Sequence, residues 1–135
     1  MPQPHDLTGT HVHNVPIALH AAATATETRL LWVAPFKCKI VSIGAYFDVA
    51  ATGDNTNTTN INTLNGGTAG TGTTEIGNKD YVLATDVVVG TEQVLYAPAT
   101  PLAVAAGTHI RIQFEKVGTG LALSAGIVQV RFQGN

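Results

Sequence analysis

Charged side chains are scarce in this sequence, and neither sign is clustered. Lys, Arg, Asp and Glu make up 12% of the 135 residues, and 7 basic against 9 acidic side chains leave a formal charge of −2. Soluble domains usually carry about 25% charged residues. Seven cations cannot neutralise the row of phosphates that an electrostatic nucleic-acid binder contacts, and scattered charges disfavour docking on an anionic membrane. We therefore expect neither nucleic acid nor a membrane as a partner.

Cysteine and long apolar runs are also nearly absent. The single cysteine, Cys38, permits no internal disulfide. No apolar run approaches the ~20 residues that span a bilayer. The first residues, Met1-Pro2-Gln3-Pro4-His5-Asp6, contain neither the basic nor the apolar segment of a signal peptide. We expect a protein that is made in a cytoplasm and is not secreted through a signal peptide.

Motifs for catalysis and for nucleotide binding are missing as well. Ser42 and Ser124 lie in strand-like stretches without a nucleophile elbow. The glycine-rich residues 66–72 are not followed by the Lys-Ser/Thr of a phosphate-binding loop. Residues 54–57 begin like a calcium loop but lack its central glycine and terminal glutamate. We therefore expect that the chain is not an enzyme and holds no cofactor.

Histidine is the one metal-binding residue type with a suggestive spacing. His11 and His13 would share one face of an extended segment, as in a two-histidine metal edge, and His5 or His20 could add a third ligand. No cysteine or well-placed carboxylate completes the set, so surface histidines in a polar segment are the better interpretation. We predict that no metal co-purifies with the protein. Their change of charge near about pH 6.5 would still matter at an interface.

The residues that are abundant favour β-structure. The chain has 44% hydrophobic residues, 19 threonines and 14 glycines. From Val15 onward, apolar and polar residues alternate with period two, and no segment offers a helical repeat. The alternation predicts strands at residues 15–19, 28–33, 38–49, 59–64, 81–84, 86–89, 93–96, 109–115 and 121–132. Such short strands predict an all-β fold, an antiparallel β-sandwich of jelly-roll type with about eight strands.

The boundaries of this domain follow from composition and turn signals. Residues 1–14 are polar and predict an extended N-terminal arm, ordered only on binding, while residues 15–135 form a single β-sandwich domain. Residues 51–78 predict one short strand between two long loops, with a type I′ turn at Asn65-Gly66. Residues 117–120 predict a hairpin turn, and the last strand changes phase near Gly126, which predicts a bulge.

Several apolar and aromatic residues exceed what one core face requires. Ile40 and Tyr46 lie opposite the face of Val41 and Ile43, and together with the valines of 86–89 they predict a surface that is buried between subunits. Four aromatic residues would suit a sugar-binding face: Trp32, Tyr46, Tyr81 and Tyr96. Because Trp32 stands among leucines and a valine, core packing is the better interpretation for it.

The chain from Ile40 onward resembles small jelly-roll proteins of tailed-bacteriophage heads. The resemblance is carried by the long strand KIVSIGAYFDVA, by a Thr/Asn-rich passage that ends in NGG, and by the ending PLAVAAGTHIRIQFEKVGTGLALSAGIVQVRFQ. It covers about two-thirds of the chain and is a pattern of strands and turns. His109 follows Ala-Gly-Thr here, where those proteins more usually have an Asp.

This resemblance implies a capsid decoration (cement) protein. Such a protein is a homotrimer on the exterior of the virion, where it binds the major capsid protein and clamps the capsomer lattice. His5, His11 and His13 of the arm would then be the capsid-docking residues. The alternative is a receptor- or glycan-binding jelly-roll domain of a phage fibre or spike, and a third possibility is a carbohydrate-binding module of an enzyme.

Overall fold

The computed structural model describes residues 9–134, which form two antiparallel β-sheets and no helix. The front sheet has the strand order β1-β9-β3-β6, with β7 also paired to β3, and the back sheet has the order β2-β8-β4-β5. The nine strands are β1 (Thr10–Ile17), β2 (Glu27–Val33), β3 (Cys38–Phe47), β4 (Thr58–Gly67), β5 (Thr74–Lys79), β6 (Gln93–Tyr96), β7 (Leu102–Val104), β8 (His109–Val117) and β9 (Gly126–Gly134).

The connectivity is that of a jelly roll. The pairs β4–β5, β3–β6, β2–β8 and β1–β9 are nested around one another along the chain, and successive pairs alternate between the two sheets. A long hairpin rolled onto itself gives this order, with two Greek keys. The predicted all-β sandwich is therefore confirmed, and its jelly-roll-like connectivity is seen directly in the strand order.

The core lies between the inward faces of the two sheets. On β8, Ile110, Ile112 and Phe114 are almost fully buried, and on β9 the same holds for Val128 and Val130. These residues alternate with half-buried polar ones on the outward faces. Trp32 is also buried in this cluster, as its apolar neighbours predicted.

A bulge in β3 corrects the predicted facing of that strand. The register against β9 shifts between Ile40 and Ser42, so that Ile40 and Ile43 both point into the core and are fully buried. An extra residue in one strand reverses the alternation beyond it. Ile40 is therefore not available for the subunit interface that the uninterrupted alternation predicted.

The hairpin of β4 and β5 replaces one of the predicted long loops. β4 continues to Gly67, and neither Asn65 nor Gly66 has the positive φ of a type I′ turn; Gly67 and Gly70 have it instead. Position 77 of β5 is a glycine because a Cβ there would overlap the backbone oxygen of Leu95 in β6. Small polar residues pair as a strand here because backbone bonds, rather than apolar side chains, hold the hairpin.

The predicted strands at 81–84 and 86–89 are absent. Only Val87 pairs in this stretch, in an isolated bridge to Ala51. Ala84 has a φ of 67°, which interrupts extended backbone. Tyr81 and Val87 are nevertheless buried, so this connection packs its apolar residues without joining a sheet.

The stretch before the last strand is partly as predicted. Gly120 donates its N–H to the Val117 carbonyl (3.0 Å), which closes the expected turn. The chain then crosses to the other sheet instead of forming a hairpin. β9 begins at Gly126, where the sequence phase changes.

The predicted arm also needs a correction at its boundary. Thr10–Ile17 forms the edge strand β1, and residues 10–14 pair with residues 129–133 of β9. The segment looks unstructured in sequence because an edge strand is exposed: Val12, His13 and Asn14 all face solvent. The domain therefore includes residues 10–14, whereas residues 1–8 lie outside the described part of the chain.

Two truncations measure the contribution of these five paired residues. Removal of residues 1–14 should lower the melting temperature by about 5 °C or more relative to removal of residues 1–8, since several net-stabilising backbone hydrogen bonds are lost. Calorimetry of both proteins gives the difference directly. Equal melting temperatures would mean that the start of β1 contributes nothing.

Candidate functional site

The candidate docking histidines do not come together. His11 is half-buried in β1, with its ring 5.6 Å from that of Phe132, and its Nε2 atom has no hydrogen-bond partner. His13 is exposed two residues further on the same face. His20 lies beyond the other end of β1, and His5 is outside the described residues. Within residues 9–134, no three His, Cys, Asp or Glu side chains are grouped to hold a metal ion.

His20 belongs to a charged cluster that closes one edge of the sandwich. Its buried ring stacks on Phe114 at 5.0 Å, and Nδ1 lies 3.0 Å from Oε1 of Glu27. Arg29 also binds Glu27 and donates to the Ala18 carbonyl (3.1 Å). Hydrogen bonds from His20 and then from Arg29 lower the pKa of Glu27. This cluster tethers β2 to the chain after β1 and presents an inward charge at the edge, which discourages pairing with other strands.

A second charged cluster covers the outer face of the front sheet. Arg131 donates to Glu92 Oε1 (2.6 Å) and to Ser42 Oγ (3.1 Å), and Tyr46 OH lies 3.4 Å from Glu92 Oε2. Arg131 first, and Tyr46 to a smaller extent, lower the pKa of Glu92. A side chain at Gly44 would overlap Glu92, so glycine makes room for this bridge. Tyr46, expected at a subunit interface, is half-buried and bonded here.

A ladder of uncharged side chains crosses the outer face of the back sheet. Gln113 donates to Thr28 (3.2 Å), Asn62 donates to Gln113 (3.0 Å), and Asn78 donates to Asn62 (3.1 Å). These four residues stand opposite one another across β2, β8, β4 and β5. Their polar groups bond to each other, so this face is a structural surface and not an open set of ligand-binding groups.

A groove of about 430 Å³ lies between the free edges of β5 and β6. Burial raises the pKa of Tyr96, the titratable side chain in its wall. No acid–base pair lines the groove, whose residues are Ile76, Gly77, Asn78, Val94, Leu95, Tyr96, Ala97 and Pro98.

The aromatic residues do not form an exposed platform. Trp32 and Tyr81 are buried, and Tyr46 and Tyr96 are half-buried. Among the residues that the structure describes, no tyrosine or tryptophan is exposed. A sugar-binding face would need such rings next to polar groups, so the glycan-binding alternative gains no support from the aromatic residues.

The connections of the sandwich gather at two ends. Antiparallel registers place the connections 18–26, 48–57, 80–92 and 118–125 at one end, which we name the apolar end. The connections 34–37, 68–73 and 105–108 lie at the opposite end, whereas 97–101 joins β6 to β7 along the edge of β3, between the levels of Ile43 and Ile40.

Exposed apolar side chains are concentrated at the apolar end. Six of the twelve large hydrophobic residues that are exposed in the described chain lie in its connections, and none lies in those of the opposite end. These six are Leu19, Val49, Val82, Leu83, Val88 and Val89. Sequence reasoning singled out the valines of 86–89 but took residues 81–84 for a strand. The signal that could have identified this surface is that residues 80–89 contain valines close to two aspartates but no sustained alternation of apolar and polar residues.

Hydrogen bonds hold the connections of the apolar end in place. Ala51 and Val87 exchange backbone bonds of 3.2 and 2.8 Å, and Gly53 donates to Asp86 (2.8 Å). The N–H groups of Asn57 and Thr56 bond to Asp54, and they lower the pKa of its carboxyl. The polar groups are thus used within the loops, which leaves the apolar side chains pointing outward.

Comparisons with protein-family models, curated proteins and solved structures return no match for this chain. The resemblance to phage-head proteins therefore stays a prediction. Residues 9–134 contain no helix that could cross a membrane.

The Glu92–Arg131 bridge predicts a pH-dependent contribution to stability. The folded-state pKa of Glu92 lies below its ordinary value of 4.5, so the bridge stabilises the fold above that pH and the stabilisation is lost as pH falls through the lowered pKa. Glu92→Gln should lower the free energy of unfolding by about 1 kcal/mol at neutral pH, a modest figure because both side chains are partly exposed. The loss should be smaller at pH ~3, which lies below the ordinary carboxyl pKa. Urea unfolding at the two pH values measures this difference.

Glu75→Gln is the control for this experiment. Glu75 is exposed on β5, and its replacement should leave stability within about 0.5 kcal/mol at neutral pH. A difference between wild type and Glu92→Gln that stays constant with pH would contradict the assigned role of the bridge.

Proposed function

We propose that this protein is a structural decoration protein that binds the outer face of a phage head and stabilises the capsomer lattice. It acts by binding and not by catalysis, and it works as a homotrimer on the major capsid protein. Its place is the exterior of the virion.

One observation carries this proposal: six of the twelve exposed large apolar side chains of the described residues lie in the connections at one end of the jelly roll. Val88 and Val89 are 52% and 54% exposed, and Leu83 is 66% exposed. Apolar patches on a soluble protein mark surfaces for other macromolecules. Exposed loop side chains suit contact with a protein surface better than with a small molecule, which needs a concave site.

The body of the molecule supports the same function. Hydrogen-bonded amides and hydroxyls cover the back sheet, and a salt bridge covers the centre of the front sheet. The segments that carry the resemblance to phage-head proteins correspond to β3, to β4 and to β7 through β9. They include the interior strands of both sheets, which are β9 and β3 in the front sheet and β8 and β4 in the back sheet. A sandwich whose outer faces are held by their own hydrogen bonds, and whose apolar end binds capsid protein, suits a protein that holds neighbouring capsomers together against internal pressure.

The homotrimer rests on fewer residues than the sequence suggested. Ile40 and Val87 are core residues and Tyr46 is bonded to Glu92. Val88 and Val89, the two exposed members of the expected interface, lie at the apolar end, which leaves the contact between subunits to other surfaces. Of the three histidines expected to dock on the capsid, His11 and His13 belong to strand β1 and not to a free arm.

Binding to empty heads that lack this protein tests the decoration function. We expect saturable co-sedimentation and a higher melting temperature of the decorated heads, because a ligand of the assembled lattice stabilises it by mass action. Heads that neither bind the protein nor gain stability would contradict the function.

Sedimentation equilibrium tests the homotrimer separately. The expected mass is about 42 kDa, three times the 14.0 kDa chain, at micromolar concentration. A monodisperse monomer at that concentration would contradict the trimer and leave decoration to a monomer.

A further inference from the structure

We infer that the apolar end is the face that docks, and that its partner presents apolar side chains set among lysines and arginines. This inference rests on the proposed function and names the docking surface for it. The argument combines the distribution of apolar side chains with the distribution of charge.

Charge is separated along the long axis of the molecule. The four connections of the apolar end contain five carboxylates and no Lys or Arg: Asp48, Asp54, Asp80, Asp86 and Glu92. Two lysines, Lys79 and Lys116, stand on strand residues at its border. The connections of the opposite end contain Lys37 and no carboxylate.

Two of these carboxylates are free to meet a partner. Glu92 is paired with Arg131, and Asp54 and Asp86 accept backbone hydrogen bonds within the loops. Asp48 and Asp80 are exposed, and no side-chain hydrogen bond engages either carboxylate within the described residues. Their charge is therefore not committed to the fold.

A second copy of the chain is a poor occupant for this face. Two apolar ends in contact would bring Asp48 and Asp80 of both copies together, and like charges at an interface oppose association. Head-to-tail contact would pair opposite charges, but the opposite end offers no exposed large apolar side chain in its connections. A partner that is both apolar and cationic satisfies both features of the face.

The two features contribute to different properties of the complex. Burial of valine and leucine side chains supplies affinity, while complementary charge speeds encounter and fixes orientation. Binding should therefore weaken with salt, since exposed charges are screened within about 8 Å at physiological ionic strength, without being abolished.

Matched variants test the apolar part of the face. Val88→Ser/Val89→Ser changes two valines that are 52% and 54% exposed at the apolar end. Val12→Ser/Val94→Ser changes two that are 53% and 48% exposed on edge strands of the front sheet. The two pairs share residue type, substitution and exposure, and they differ in whether the valines lie in a connection of the apolar end or on a strand. Unchanged circular dichroism and melting confirm that each variant folds.

A second matched set tests the charge. Two double variants are compared, Asp48→Asn/Asp80→Asn and Glu75→Gln/Glu115→Gln. Each of them removes two negative charges from a chain with a formal charge of −2. Glu75 and Glu115 lie on β5 and β8, and a glutamine at 115 can still accept the Asn62 hydrogen bond. Only the first pair lies in the connections of the apolar end.

Two probes are used: empty heads, and a monolayer that displays mixed alkyl and ammonium groups. On both probes, we expect Val88→Ser/Val89→Ser to bind about tenfold more weakly than wild type. Asp48→Asn/Asp80→Asn should bind about threefold more weakly. Both control variants should bind within about twofold of wild type. A monolayer of alkyl and carboxylate groups should bind the wild type more weakly.

The outcomes separate this inference from the proposed function. If wild type binds the mixed ammonium monolayer through the apolar end but ignores the heads, the docking face stands and decoration is contradicted. If heads or monolayer bind the apolar-end variants as well as the controls, the docking face is overturned, whether or not decoration holds. A loss confined to Val12→Ser/Val94→Ser would move the face to the front-sheet edges.

Discussion

The fold depends on the burial of the inward faces of β8 and β9 between the two sheets. Ile110, Ile112 and Phe114 meet Val128 and Val130 in one cluster with almost no exposed surface. Each fully buried residue of this kind contributes about 1.5–3 kcal/mol. Since β8 pairs with β2 and β4 while β9 pairs with β1 and β3, these two strands fix the register of most of both sheets. The nested pairing then brings four connections to the same end.

Uncharged hydrogen bonds satisfy the outer face of the back sheet, and one salt bridge lies on the outer face of the front sheet. The ladder across the back sheet bonds amides and hydroxyls to each other. The Glu27–Arg29 pair lies on the edge strand β2, and the Glu92–Arg131 pair joins the connection 80–92 to β9. Such a body can be rigid with 12% charged residues. This has a consequence for function. Polar side chains on the outer faces are hydrogen-bonded to each other, whereas the apolar end leaves valines and leucines exposed to a partner.

Alternation in the sequence predicts the strands that have one buried face and one solvated face. It identifies β8 and the sandwich class, because Ile110 to Phe114 alternate strictly with polar residues. It misses β5, whose six residues are exposed or half-buried and are held by backbone pairing with β4. It also misses the start of β1, where an edge strand has little to bury. It mistakes residues 81–89 for strands, since Tyr81 and Val87 are buried by loop packing. The apolar end could not be predicted because it is assembled from four separate connections.

The central claim is that the apolar end binds the capsid lattice, and hydrogen exchange of the protein on heads tests it most directly. Backbone amides in 48–57 and 80–92 should exchange more slowly on heads than in free protein, because docking excludes water from these connections. Amides of the opposite end, in 68–73 and 105–108, should be unchanged. Protection confined to the opposite end or to the front-sheet edges, with 80–92 exchanging as in free protein, would contradict the account.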